Sequence, residues 1–170
     1  GLSRSSGDWI VPMNAGDRFQ AADSLARFFP EEREWERAPI RAAFAQFGAR
    51  RIPNAPVSEA TPLRKRALVS HQATLVHRRV YDAVGLYDPR FKIRMDYDFW
   101  LRALPRFPLH FIPEVLVDYE AGGISSQKPE LFFREELLAQ GLRLSHPLLA
   151  NTASYAKYAA RSLRSKLTRS

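Results

Sequence analysis

Residues 70–103 read SHQATLVHRRVYDAVGLYDPRFKIRMDYDFWLRA. Ala73, Leu75 and Val76 make the first eight residues of this run a strand candidate, 70–77. RRVYDAVG (78–85) predicts a short helix that stops at Gly85. LYDPRFK (86–92) is a turn by composition, and DYDFWLRALPR (96–106) predicts a second helix ending near Pro105.

The second helix carries two acids, Asp96 and Asp98, among Met95, Tyr97, Phe99, Trp100 and Leu101. On a helix, Asp98 has Arg102 at i+4, a spacing suited to a surface ion pair. Asp96 has Phe99 and Trp100 at i+3 and i+4. It is either a first-turn acid favoured by the helix dipole or a carboxylate whose proton affinity the apolar surroundings adjust. Desolvation raises that affinity and the helix N-terminus lowers it, and spacing leaves the balance open.

Upstream, DWIVPM (8–13) predicts a buried strand that runs into the turn NAGD (14–17). A carboxylate at such a strand end, here Asp17, can ligate a hard cation; it can equally close an Asx-type turn or cap the helix predicted over 21–29. Residues 31–60 are ambiguous. Their propensity favours helix, whereas IRAAFAQF followed by GAR would suit a hairpin. Downstream, LHFIPEVLVDYE (109–120) predicts two short strands broken at Pro113, then a GGISS loop (122–126). Two helices are expected from Pro129 onward, the second spanning Pro147 to Leu167.

The 170 residues are the size of one domain, and 45% of them are hydrophobic, enough for a real core. The absence of cysteine excludes disulfides, thiolate metal sites and a cysteine nucleophile. The net charge is +8, but it is unevenly placed. From Leu137 onward the chain holds Arg143, Lys157, Arg161, Arg164, Lys166 and Arg169 and no acid, which is +6 of the total. The nearly neutral body argues against a nucleic-acid groove, and the basic end favours acidic lipid or an acidic partner. No apolar run approaches a membrane span. A start at Gly1 in GLSRSSGDW suggests a piece of a longer protein.

Taken in order, GDWIVPMNAGDRF, the 70–103 run and FIPEVLVDYEAGGISS resemble the C-terminal half of a family 2 glycosyltransferase of the GT-A fold. The resemblance covers residues 1–127 and is closest to the bacterial branch that builds cell-surface polysaccharide. It implies an α/β fold, a mixed sheet flanked by helices, with 128–170 as a basic helical extension. NAGD matches the Asp-any-Asp position that holds a divalent metal, magnesium or manganese, with the donor diphosphate. Asn14 and Gly16 stand where many members have acids, which leaves Asp17 as the carboxylate. MDYD matches the motif of the catalytic base, with Asp96 as the base and Met95 where relatives carry Glu.

The same resemblance places His71, Gln72 and Trp100 on the acceptor side and Gly123 and Ser125 in a loop over the donor. It implies inverting transfer from a nucleotide-sugar donor to a glycan or lipid-linked acceptor, in the cytoplasm or at the inner face of the plasma membrane. The nucleotide-cradling first half of such a domain has no counterpart here. Two other readings are an inactive relative and a basic module that binds acidic lipid or nucleic acid.

Overall fold

The computed structural model describes residues 2–29, 37–58, 61, 69–120 and 127–167. The strands are β1 (Trp9–Ile10), β2 (Arg18–Phe19), β3 (Ile40–Phe47), β4 (Arg50–Ile52), β5 (Thr74–His77) and β6 (Leu109–Asp118). The helices are α1 (Arg78–Val84), α2 (Met95–Ala103), α3 (Pro129–Arg143) and α4 (Pro147–Leu167). The strands form one mixed sheet in the order β1-β5-β3-β6-β2. β3 and β6 are parallel and the other pairs antiparallel. β4 folds back on the end of β3 as a hairpin, along the edge whose first half pairs with β5. The α/β class expected from the sequence is therefore the class observed.

The central strand β3 is where residue propensity misleads. Its first six residues are buried, and Ala42, Ala43 and Ala45 are fully so. Alanine favours helix in isolation. Here its small side chain fits a strand covered on both faces: Ile40 and Ala42 join one core cluster, Ala43 and Ala45 the other. Residues 40–52 are thus a hairpin, not the helix that propensity favours; 31–36 lie outside the described residues.

Three further expectations change. The strand expected over 8–13 shortens to Trp9–Ile10, and the helix over 21–29 to a 3-10 turn at Ala26–Phe28. β6 is continuous through Pro113. Ile112 pairs with Ala43 and Val115 with Phe44, so Pro113 and Glu114 bulge out, where the missing N–H of proline costs no ladder bond. The 70–77 segment opens with a 3-10 turn, His71–Ala73, before β5 begins.

Helix α2 is packed from two sides. Phe99, Trp100 and Ala103 join Ile40, Val76, Val80 and Tyr81 under the sheet. Tyr97 and Leu101 meet Phe91 and Ala139 towards α3. The turn leading into α2 is held by Glu135 of α3. Its carboxylate accepts the backbone N–H groups of Lys92, Ile93 and Arg94 at 2.9, 2.8 and 2.9 Å. Arg94 is buried; it donates to Glu136 at 3.0 Å and lies between the rings of Tyr97 and Phe132. α4 returns antiparallel to α3, with Ser154 bonded to Gln140 and Glu136 and Tyr158 stacked on Phe133.

Removing the Glu135 carboxylate strands three N–H groups in a part-buried turn. Glu135→Ala is expected to destabilise the chain by about 3 kcal/mol. Urea unfolding against Glu130→Ala, an exposed acid on the same helix, measures it; equal midpoints for the two would refute it.

Candidate active site

The turn after β1 is built by its own side chains. Asp17 N–H donates to the Asn14 carbonyl at 3.2 Å, and Asn14 N–H donates back to Asp17 Oδ2 at 3.1 Å. Asp17 Oδ1 accepts the N–H of Glu120, just beyond β6, at 3.1 Å. Gly16 has φ of +93°, a region that disfavours side chains. The Glu120 side chain also covers it: a Cβ on Gly16 would sit 1.4 Å from Glu120 Oε2.

Asp17 therefore closes the turn, the bland role its spacing allowed. Its two oxygens each take a backbone N–H, and no group of three His, Asp or Glu side chains able to hold a metal occurs among the described residues. Among the described residues the donor set falls short of a metal centre, and no step below is routed through one.

Three stretches distant in sequence meet beside that turn. Asn14 Nδ2 lies 3.2 Å from His71 Nε2, and His71 Nδ1 lies 3.4 Å from Asp96 Oδ2. One neutral tautomer, with its proton on Nδ1, serves both contacts: the ring donates to the carboxylate and accepts from the amide. His71 comes from the 3-10 turn before β5 and Asp96 from the first turn of α2. The side chains of His71 and Asp96 are 26% and 18% exposed, so the pair faces solvent through an opening.

The balance that spacing left open is settled at Asp96. Burial pushes its carboxyl up. The His71 ring, the Arg94 charge and the Tyr97 N–H, donated to Oδ1 at 2.7 Å, together outweigh it and hold the group below the ordinary Asp range. Asp96 is an ionised carboxylate at neutral pH.

Asp98 has the opposite setting. It does reach Arg102, at 3.0 Å, but the pair is not on the surface, because Asp98 is fully buried. Arg143 of α3 donates to its other oxygen at 2.8 Å and also reaches Asp88 at 3.3 Å. Arg102 goes on to the carbonyls of Gly85 and Leu86, at 3.3 and 2.9 Å, where α1 ends.

Of the other residues expected at the site, Gln72 and Trp100 are enclosed in the fold. Gln72 is buried and takes a hydrogen bond from Ser70 Oγ. Trp100 is 1% exposed, within the core against Phe99. Gly123 and Ser125 lie outside the described residues. Glu120 and Glu135, by contrast, carry no local signal in the sequence, because their contacts lie 103 and about 42 residues away.

No protein-family model matches the chain. Over 129 residues, 74% of its length, it is 24% identical to a PGL/p-HBAD biosynthesis glycosyltransferase of Mycobacterium bovis. The same figures hold for one of Mycobacterium tuberculosis. The chain spans about half the length of the curated relatives it matches. The likeness is a distant one, and it is to glycosyltransferases.

Two outcomes follow from the site's geometry. Gly16→Ala puts a side chain at positive φ and moves the Glu120 carboxylate aside, and it is expected to cost about 2 kcal/mol, mostly from the backbone, read by thermal or urea unfolding. The second concerns pH. Because the folded-state pKa of Asp96 is lowered, the stability it contributes is fully present above its unfolded pKa, about 4, and is lost as pH falls through the folded value. Asp96→Asn is expected to flatten the loss of stability below about pH 4; parallel acid titrations of the two proteins would contradict this.

Proposed function

We propose that this chain carries the acceptor-side catalytic machinery of an inverting glycosyltransferase that uses a nucleotide-diphosphate sugar. The observation that carries the reading is the Asn14–His71–Asp96 chain, which joins three motifs far apart in sequence around one ionised carboxylate. The glycosyltransferase likeness over 129 residues supports it.

In the proposed reaction an acceptor hydroxyl attacks the anomeric carbon of the donor sugar. The bond to the diphosphate oxygen breaks, and the diphosphate leaves with the electron pair. Asp96 takes the hydroxyl proton. A carboxylate with a lowered pKa is a weak base, but the attacking oxygen becomes strongly acidic as its new bond forms. Late proton transfer to Asp96 is then downhill. The role of His71 is to hold the carboxylate in place, and that of Asn14 is to fix the ring's tautomer. The acceptor class is a glycan or a lipid-linked sugar, and further parts of the protein that carries this chain bind the nucleotide.

The test is a pair of substitutions in that protein. Asp96→Asn keeps the shape and removes the base, so kcat is expected to fall 10²–10⁴-fold with only the small loss of melting temperature that the missing charge brings. Asp98→Asn leaves two half-buried guanidinium groups short of their fully buried partner and is expected to cost about 3 kcal/mol of stability while sparing most of the turnover. Turnover lost in Asp98→Asn and kept in Asp96→Asn would overturn the assignment. A wild-type protein inert towards every nucleotide sugar would favour the inactive relative.

A further inference from the structure

Arg94 breaks the local rules of helix α2. It is the N-cap residue, at the end where the helix dipole is positive and disfavours a cation. Its side chain makes no capping hydrogen bond. It is 5% exposed, so a charged group has been taken out of water at a cost. Nη2 donates to Glu136 at 3.0 Å, while Nε is buried with no hydrogen-bond partner among the described residues. The Tyr97 and Phe132 rings lie 4.3 and 4.4 Å from the guanidinium carbon and enclose it. An apolar side chain of similar length would fill that slot without these costs. Local rules broken without a local gain mark a residue kept for another purpose.

That purpose stands two residues on, at Asp96. The Arg94 backbone opens the helix that presents it: the carbonyl accepts the Asp98 N–H at 3.0 Å, and the N–H donates to Glu135 at 2.9 Å. The groups around Asp96 come from four directions. His71 approaches from the turn before β5, and the Tyr97 N–H from α2 itself. Glu135 and Glu136 of α3 stand behind Arg94. Tyr87, from the turn after α1, stays neutral: burial, then Tyr81 and the Asp96 charge, push its phenol up. Asp98 is turned away, to Arg102 and Arg143. Arg94 is thus a permanent cation set among the carboxylates of Asp96, Glu135 and Glu136.

We propose that Arg94 is a positioning residue for Asp96: enclosed by Tyr97 and Phe132, it fixes the first turn of α2 and supplies the buried positive charge beside the carboxylate. Burial pushes the Asp96 carboxyl up, and the His71 ring and then the Arg94 charge bring it down. The consequence is a carboxylate that stays ionised, and so able to take a proton, further into acid than its burial alone would allow. The role of Asp96 as a base rests on the transferase reading; its coupling to Arg94 does not.

The experiment follows the Asp96 carboxyl carbon by NMR as the 170-residue chain is titrated with acid, the signal being assigned by its loss in Asp96→Asn. Arg94→Met alone would leave Glu136 buried without its partner. The charge is therefore removed in the double variant Arg94→Met, Glu136→Gln, and the reference is Glu136→Gln. The Asp96 midpoint is expected to lie higher in the double variant, because the cation no longer offsets the burial of the carboxylate. Arg94→Lys keeps the charge without the planar fork and is expected to hold the midpoint below that of the double variant. A double variant that titrates with Glu136→Gln overturns the proposal. So does Arg94→Lys titrating with the double variant, the result expected if the guanidinium only packs. In the protein that carries this chain, the acid limb of the pH–rate profile is expected to move up with the carboxyl midpoint. A midpoint that moves while the acid limb does not supports the coupling and overturns Asp96 as the base, so the two failures are told apart.

Discussion

The Glu135 carboxylate accepts three successive backbone N–H groups at the entrance to α2, and the placement of that helix depends on it. A carboxylate aimed at a helix N-terminus also meets the positive end of the helix dipole. The same face is tied at two more points, by Arg94 to Glu136 and by Asp98 to Arg102 and Arg143. Buried charges of this kind add little net stability, because desolvation offsets their attraction. The clusters around Trp100 and Tyr97 supply the apolar burial. What the charges add is register: a helix rotated or slid by one residue would leave several of them buried without partners, a state costing several kcal/mol. The fixed rotation is what aims Asp96 at His71.

Two acids spaced two apart meet opposite fates for a geometric reason. At 3.6 residues per turn, positions i and i+2 point about 200° apart around the axis. With α2 packed between sheet and α3, only a narrow sector reaches solvent. Asp96 lies in that sector beside His71, and Asp98 points the other way, into the contact with Arg143. The aromatic residues between them are core, and Trp100 belongs to that packing, not to the opening.

The sequence was most legible where local chemistry decides the structure. Gly85, with φ of +82°, ends α1 where a glycine stop was expected, and the i, i+4 spacing of Asp98 and Arg102 yields the ion pair. It was least legible where tertiary cover overrides propensity. β3 has three alanines because both of its faces are covered, a fact absent from its own residues. The burial of Asp98 was hidden for the same reason: the second arginine comes from 45 residues away. At the site, the separate motifs were readable, but the contact of Asn14 with His71 spans 57 residues and depends on sheet order.

That sheet order explains how a turn near the start of the chain becomes part of the site. β2 pairs with the end of β6, Arg18 opposite Asp118 and Phe19 opposite Val117. Arg18 and Gln20 add side-chain bonds to Asp118, at 3.1 and 3.0 Å. On the other side of the turn, β1 pairs with β5, which directly follows the 3-10 turn of His71. The segment 11–17 is thus anchored at both ends, to β5 and to β6, and must cross the sheet's edge between them. Gly16 lets the turn pass under Glu120, and Asp17 binds it to the same residue's N–H. Asn14 is then delivered to His71 by the pairing of two-residue strands that gain little on their own. Its position is enforced by the sheet core, where β3 and β6 run together, as well as by the turn's own hydrogen bonds.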